Sequence, residues 1–240
     1  MKAVLLAAGE GKRLRPLTDR VPKPMLPLMG KPLLEHHLLS FARFGINDVL
    51  INLHHLPDVI KSYFGDGERW GVRITYFQEQ ELLGTAGALR PMIKELSKDL
   101  FFVVYGDNYV TCDFAQMKLL HLEKKAFATV AFFEGGEFRK SGVMGIDDEL
   151  AISHFVEKPT QAEIEKHQPR FVNAGIYMLE PEIFDYIPQT GISDFGTDIF
   201  PKLIAHRKRV VGYPLRQPVY SIDTLSHYRS LQKVLAGEEN

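Results

Sequence analysis

Short apolar runs alternate with amphipathic stretches along the first half of the chain. Four continuous or β-branched runs predict buried strands of a parallel sheet: 2–7, 48–53, 72–77 and 100–107. Four intervening stretches with helical spacing of apolar residues predict helices: 32–45, 57–65, 85–96 and 113–125. This alternation is typical of an α/β fold with a doubly wound, Rossmann-like, mixed but mainly parallel sheet.

The second half of the chain is richer in predicted strands. Five runs have this pattern: 127–133, 142–147, 152–158, 171–179 and 209–215. Two further helices are predicted near 194–207 and 224–236. Because no linker, repeat or low-complexity tract divides the sequence, we interpret 1–240 as one domain with halves 1–125 and 126–240.

Composition excludes several classes of protein. A formal net charge of −1 argues against nucleic-acid binding, because nothing global would neutralise many phosphates. The single Cys112 cannot form an internal disulfide. The apolar run from Ala3 to Ala8 is too short for a secretory signal, and no stretch approaches a membrane span. We therefore expect a cytoplasmic protein that does not bind membranes, with its oligomeric state open.

The segment LLAAGEGKRLRPLTDRVPKP, residues 5–24, stands out by its local charge. Five cations oppose only Glu10 and Asp19 in it: Lys12, Arg13, Arg15, Arg20 and Lys23. Gly9 and Gly11 would let backbone amides approach an anion closely, and three prolines restrict the backbone. Leu14 breaks the dinucleotide-binding fingerprint, and Leu6 and Arg13 break the Walker pattern. The loop predicts polyphosphate binding, with a solvated basic loop as the alternative.

Five motifs together resemble sugar-1-phosphate nucleotidyltransferases, also called nucleotide-sugar pyrophosphorylases. They occur in the family's order: LAAGEGKRLRPLT with VPKPMLPLMGKPLLEH, LLGTAGAL, VVYGDN, FVEKP and NAGIY. The likeness covers nearly the whole chain, and it is greatest to mannose-1-phosphate guanylyltransferases and short relatives acting on heptose or N-acetylmuramate phosphates. Longer guanylyltransferases carry a C-terminal β-helix, and we expect none within these 240 residues.

The resemblance implies a nucleotide-binding half, 1–125, and a sugar-binding half, 126–240. Arg13, Lys23 and Asp107 would be catalytic. The implied nucleotide-binding residues are Leu6, Ala7, Ala8, Gly9, Gly11, Arg13, Gln78, Gly84, Thr85 and Gly87. The implied sugar-phosphate-binding residues are Asn108, Gly142, Glu157, Lys158 and Asn173.

The family's metal site implies Mg²⁺ as cofactor, with Asp107 as one ligand. The usual second ligand belongs to a D-x-G-T element, where this chain has YSIDTLSHY. Alignment on Thr224 puts Ser221 at the aspartate position and Asp223 at the glycine position, and we predict Asp223 as the second ligand. Lys12 replaces the family's usual threonine beside the phosphates.

The implied reaction joins an NTP and a sugar 1-phosphate, giving an NDP-sugar and pyrophosphate. Guanylyl transfer from GTP to mannose 1-phosphate is favoured. Uridylyl, thymidylyl or cytidylyl transfer to an N-acetylmuramate, heptose or glucose 1-phosphate remains open. So does a non-catalytic regulatory subunit that binds a nucleotide sugar. A molybdopterin- or terpenoid-precursor nucleotidyltransferase shares the N-terminal fold, but the EKP and NAG segments favour a sugar.

Overall fold

A computed structural model of the chain describes residues 1–237. Thirteen strands lie in this range: β1 (Lys2–Leu6), β2 (Pro27–Leu28), β3 (Lys31–Pro32), β4 (Asp48–Leu53), β5 (Arg73–Gln78), β6 (Phe101–Tyr105), β7 (Asn108–Tyr109), β8 (Ala128–Glu134), β9 (Gly142–Ile146), β10 (Ile152–Glu157), β11 (Phe171–Leu179), β12 (Val210–Pro214) and β13 (Tyr220–Ser221). The same range holds seven α-helices: α1 (Leu33–Arg43), α2 (Pro57–Phe64), α3 (Ile93–Leu96), α4 (Phe114–Glu123), α5 (Gln161–His167), α6 (Phe200–Ala205) and α7 (Leu225–Ala236). The predicted α/β class is confirmed.

The chain forms two compact units, which we call unit 1 and unit 2. Unit 1 comprises Met1–Leu82, Val104–Thr111 and Val219–Asn240. Unit 2 comprises Leu83–Val103 and Cys112–Pro218. The interpretation of 1–240 as one domain stays a prediction.

Unit 1 contains parallel strand pairs in which β1 and β4 are largely buried, whereas β5 is mostly exposed or half-buried. β1 pairs with β4 from Lys2↔Asp48 to Leu6↔Asn52, and β4 pairs with β5 from Asp48↔Arg73 to Leu53↔Gln78. Ala3, Val4 and Leu5 of β1 are fully buried, which is the reason for its unbroken apolar pattern. The carboxyl ends of these strands lead into the predicted nucleotide-binding segments, the position where open α/β sheets bind ligands.

Unit 2 contains a mixed sheet. β10, β9 and β11 pair antiparallel in that order, and β8 pairs antiparallel with β11 and parallel with β12. Irregular pairing between Asn173 and Tyr177 interrupts the β8–β11 ladder, so a predicted sugar-binding residue lies beside a bulge.

Two segments differ from the helices that the sequence predicts. The stretch 85–96 is a 3₁₀ helix, Gly87–Met92, followed by the single α-helical turn α3. Pro91 lacks the amide that a continuous α-helix would need there. The stretch 194–207 begins with a π turn, Phe195–Ile199, and only then becomes α6. The sequence did not predict the short helix α5, which begins with a capping box formed by Thr160 and Glu163.

None of the helices between residues 1 and 237 combines the length and the apolarity needed to cross a bilayer.

Candidate active site

The basic loop that follows β1, in the segment 5–24, folds into three short 3₁₀ turns. Contacts within the loop stabilise these turns. The turns are Lys12–Leu14, Leu17–Asp19 and Lys23–Met25. Gly11 has φ of +62°, and a Cβ there would lie 2.9 Å from Thr18 Cγ2. The Thr18 hydroxyl donates to the Gly11 carbonyl at 2.8 Å. A side chain at residue 11 would therefore strain the turn that presents Arg13.

A hydrophobic cluster joins this loop to the C-terminal part of unit 1. Its buried members come from the loop, from the segment between the loop and the start of α1, and from the C-terminal part: Leu14, Leu26, Leu28, Leu33, Ile222, Tyr228 and Leu231. Leu14 and Ile222 are 1% and 0% exposed, and their chain neighbours are Arg13 and Asp223. Burial of the two apolar residues thus brings the two charged ones together.

Lys23 is the centre of a charged cluster in unit 1. Its Nζ lies 2.8 Å from Asp107 Oδ2 and 2.9 Å from Asp223 Oδ1, and Arg13 lies 3.1 Å from the same Asp223 oxygen. The Lys23 side chain is 7% exposed, whereas that of Arg13 is 64% exposed. We call Arg13, Lys23, Asp107 and Asp223 the charged cluster.

Charge pairing controls protonation in the charged cluster. Burial by itself would lower the pKa of Lys23, but Asp107 and Asp223 outweigh it and raise that pKa above its usual value. Burial would raise the pKa of Asp223, but Lys23, with Arg13 and a hydrogen bond from Ser221, holds it below its usual value. Both groups are therefore charged near neutral pH.

The position of Asp107 depends on a close approach of two strand ends. Gly106 donates its amide to the Leu6 carbonyl at 2.9 Å, and a Cβ at Gly106 would lie 3.0 Å from that oxygen. His37 places its Nε2 2.9 Å from the carbonyl of Asn108, the next residue after Asp107. These contacts put Asp107 directly beside the end of β1.

Buried polar residues that the sequence did not point to hold the start of the basic loop. Asn52 accepts a hydrogen bond from the Ala7 amide at 2.8 Å and donates to Glu79 at 2.6 Å. Asn52 and Glu79 are 4% and 7% exposed. Ala8 is buried too, and no atom outside its neighbours would lie within 4 Å of a Cβ at Gly9. The sequence feature that could have identified this contact is Asn52, a polar residue inside the otherwise apolar part of β4.

The four histidines at 36, 37, 54 and 55 face main-chain carbonyls. Their partners are Leu28, Asn108, Glu79 and Thr18, at 2.8–3.0 Å. Across residues 1–237, no group of three or more His, Cys, Asp or Glu side chains is placed to hold a metal ion. The charged cluster thus contains two carboxylates that could bind a metal ion, those of Asp107 and Asp223.

The predicted nucleobase-binding residues are divided between the units. In unit 1, Gln78 is exposed and accepts a hydrogen bond from Lys61 at 2.9 Å. In unit 2, Gly84, Thr85 and Gly87 form one loop: Gly84 has φ of +79°, and the Gly87 amide donates to the Ser193 carbonyl at 2.9 Å. We call residues 83–87 the base loop.

The predicted sugar-binding residues are likewise divided. Asn108 lies in unit 1, on β7, and pairs with Ser221. In unit 2, a Cβ at Gly142 would lie 2.7 Å from Glu157 Oε2, so this glycine leaves space for the carboxylate. Burial raises the pKa of Glu157, with Lys158 opposing the rise. Asn173 donates to the Tyr177 hydroxyl at 2.8 Å and accepts from the Gly175 amide.

Comparison with known proteins identifies the family of the chain. The nucleotidyl transferase family matches residues 2–219. The chain is 39% identical over 218 residues to a UTP–glucose-1-phosphate uridylyltransferase from Synechocystis, covering 85% of this chain and 55% of that protein. It is 35% identical over 212 residues to a mannose-1-phosphate guanylyltransferase from Mycobacterium tuberculosis, covering 88% and 58%. The chain thus spans little more than half the length of these curated relatives.

Solved structures share the fold. A Bacillus anthracis protein provisionally named glucose-1-phosphate thymidylyltransferase, crystallised with a sucrose, superposes with a TM-score of 0.85 at 25% identity, covering 100% of this chain and 96% of that one. A UDP-glucose pyrophosphorylase superposes with a TM-score of 0.83 at 22% identity, covering 99% of each chain. With the family match over residues 2–219, the chain belongs to the nucleotidyl transferase family.

Proposed function

We propose that this protein transfers a nucleotidyl group from an NTP to a sugar 1-phosphate and releases pyrophosphate. The observation that carries the proposal is the charged cluster: Lys23 is paired with both Asp107 and Asp223, beside the strand ends of unit 1. Membership of the nucleotidyl transferase family supports the same reaction class.

The reaction brings two polyanions together. A phosphate oxygen of the sugar 1-phosphate attacks the α-phosphorus of the NTP, the new P–O bond forms, and the bond to the β-phosphate oxygen breaks. The attacking oxygen is already ionised near neutral pH, so no general base is required. Catalysis then rests on positioning and on neutralising charge.

Within this reaction, Arg13 and Lys23 would bind phosphate oxygens. Arg13 is exposed and therefore accessible to a nucleotide, and its planar guanidinium suits phosphate. Lys23 is buried and fully charged, so it can stabilise charge that develops on the phosphoryl group. Leu6, Ala7, Ala8, Gly9 and Gly11 would supply main chain to the nucleotide.

A divalent cation fits the donor set of the charged cluster. Asp107 and Asp223 already converge on one cation, the Lys23 ammonium, and hard carboxylate oxygens suit Mg²⁺. With two protein carboxylates, the remaining ligands would be water or phosphate oxygens, as is usual for Mg²⁺. Such an ion would supply further positive charge to the phosphates.

The same arrangement favours Asp223 over Ser221 as the second ligand. Asp223 shares Lys23 with Asp107, whereas Ser221 is an exposed residue of β13 whose hydroxyl bonds Asp223. We therefore assign Ser221 the task of orienting the Asp223 carboxylate.

For the substrates, we propose guanylyl transfer to mannose 1-phosphate, on the likeness to the guanylyltransferase from M. tuberculosis. Gln78 and the base loop would contact the base, and Asn108, Gly142, Glu157, Lys158 and Asn173 the sugar phosphate. Uridylyl transfer to glucose 1-phosphate is the second candidate, because the Synechocystis relative with that name is 39% identical.

A pyrophosphate-release assay tests the proposal. Each of GTP, UTP, dTTP, CTP and ATP is offered with mannose, glucose, N-acetylmuramate and heptose 1-phosphates, with and without Mg²⁺. We expect one pair to turn over well above the others and only with the metal. The proposal fails if the folded protein releases pyrophosphate with none of the pairs.

A further inference from the structure

Four consecutive residues of unit 2, Ser193–Gly196, contact several of the groups to which we assign ligand binding. They precede and enter the π turn Phe195–Ile199, and none of them was predicted as a site residue. We call Ser193–Gly196 the brace.

The first half of the brace holds the base loop through the main chain. The Ser193 carbonyl accepts hydrogen bonds from the amides of Ala86 and Gly87, both at 2.9 Å, and the Ser193 amide donates to Leu83 at 2.9 Å. A Cβ at Gly84 would collide with the Ser193 carbonyl. The loop and the brace are therefore packed backbone against backbone.

Asp194 and Thr85 lock the same two segments through side chains. The Asp194 carboxylate accepts from the Thr85 amide at 2.8 Å and from the Thr85 hydroxyl at 2.9 Å. The hydroxyl in turn accepts from the Phe195 amide at 2.9 Å. The amide and the hydroxyl of Thr85 thus both donate to Asp194, and the hydroxyl also accepts from Phe195. These three hydrogen bonds fix the position of Thr85 relative to the brace.

The second half of the brace contacts the predicted sugar side. A Cβ at Gly196 would collide with the Glu157 carboxylate, so Glu157 occupies a slot formed by Gly196 and Gly142. The Phe195 ring packs on Tyr177 with centroids 5.0 Å apart, and the Tyr177 hydroxyl accepts from Asn173 at 2.8 Å. Glu157 and Asn173 therefore depend on residues 195 and 196.

We infer that the brace couples recognition of the nucleobase to recognition of the sugar phosphate, with Asp194 and Gly196 as positioning residues. This inference rests on the proposed function. The two residues are separated by one residue in a hydrogen-bonded segment, so a displacement at Gly196 moves Asp194 as well. Reactants must be aligned to within about an ångström for in-line attack. A single segment that positions both the base loop and Glu157 would help to keep the two reactants in that alignment.

The experiment makes one substitution on the sugar side of the brace and one on the base-loop side. The effect of each substitution is measured on the opposite side. Gly196→Ala forces the Glu157 carboxylate aside. Thr85→Val keeps the shape of Thr85 but removes its hydroxyl, and Thr85→Ser restores that hydroxyl. Ile192→Ala is the matched control, because Ile192 adjoins the brace and is 72% exposed.

The first readout is hydrogen exchange of the base-loop amides, which needs no turnover. We expect Gly196→Ala to speed exchange of the Thr85, Ala86 and Gly87 amides about tenfold, the effect of weakening one hydrogen-bonded contact. Exchange in β8, which pairs with β11 and β12 in unit 2, should stay at the wild-type rate, and this shows that the unit carrying the substitution is folded. Ile192→Ala should leave the base loop unchanged.

The second readout is the Michaelis constant for each reactant. Thr85→Val should raise KM for the sugar 1-phosphate several-fold as well as that for the NTP, and Thr85→Ser should restore both. If each variant affects only the reactant on its own side, and Gly196→Ala leaves base-loop exchange unchanged, the coupling is overturned. A wild-type protein without turnover would contradict the proposed function, while the exchange data would still decide the coupling.

Discussion

In unit 1, Asp107 and Asp223 share the buried Lys23 ammonium, whereas in unit 2 Glu157 lies in a slot between Gly142 and Gly196. Pairing lowers the pKa of Asp223, while burial raises the pKa of Glu157. The site residues of unit 1 are held together by opposite charges. In unit 2, Glu157 is placed by the space that two glycines leave, because they have no side chains. The difference suits the reactants that we propose: phosphates need neutralising charge, and a sugar needs a hydrogen-bond acceptor held in a shaped cavity.

Removing charge from the charged cluster should have the largest effect. Lys23→Ala and Asp107→Ala should each reduce turnover by about two orders of magnitude or more, because electrostatic stabilisation of the transferring group is lost. Steady-state pyrophosphate release measures this effect. Arg15→Ala is the matched control: Arg15 belongs to the same loop but pairs with Asp19, and its side chain is 57% exposed. Near-normal turnover in Lys23→Ala would remove the distinction between the two regions.

Acidification should destabilise the protein through a buried histidine of unit 2. His121 is 1% exposed, contacts the Thr129 hydroxyl at 2.8 Å, and burial lowers its pKa to about 4. Since the folded state favours neutral His121, its contribution to stability is complete above the ordinary histidine pKa and is lost as the pH falls towards 4. From pH 7.5 to 5 this amounts to about 2 kcal/mol.

Urea unfolding at the two pH values measures this loss. His121→Gln cannot titrate, so its free energy of unfolding should fall less between pH 7.5 and 5 than that of the wild type. An equal fall in both proteins would show that His121 does not contribute to the pH dependence.

A smaller effect should separate the two candidates for the second metal ligand. Asp223→Ala should raise the Mg²⁺ concentration for half-maximal turnover about tenfold, because a charged oxygen ligand is lost. Ser221→Ala should raise it only slightly, since the serine acts on the aspartate by one hydrogen bond. Magnesium titrations of both variants decide the point, and a larger shift for Ser221→Ala would reverse our assignment.

The local structure of this protein follows closely from its sequence. The run 48–53 is β4 residue for residue, and 171–179 is β11, because strands that are buried over most of their length are mainly apolar. Asp113 caps α4 by accepting from the Gln116 amide, as its position before an apolar helix indicates. These features depend on neighbours within one element. The glycines, prolines and cations of residues 5–24 likewise predict an anion-binding loop from the sequence, and this stays a prediction.

Apart from the family resemblance, which implied a shared site for Lys23, Asp107 and Asp223, only the tertiary structure shows which groups meet. Lys23 is 84 residues from Asp107 and 200 from Asp223, and no periodicity relates positions so far apart. The sequence suggested a cationic loop, but only the folded structure shows that the last of its cations, Lys23, is buried between two carboxylates. Thr85 and Asp194, 109 residues apart, are hydrogen-bonded for the same reason. Local patterns are set by which atoms follow one another along the chain, whereas these pairs are set by packing of the hydrophobic segments that carry them.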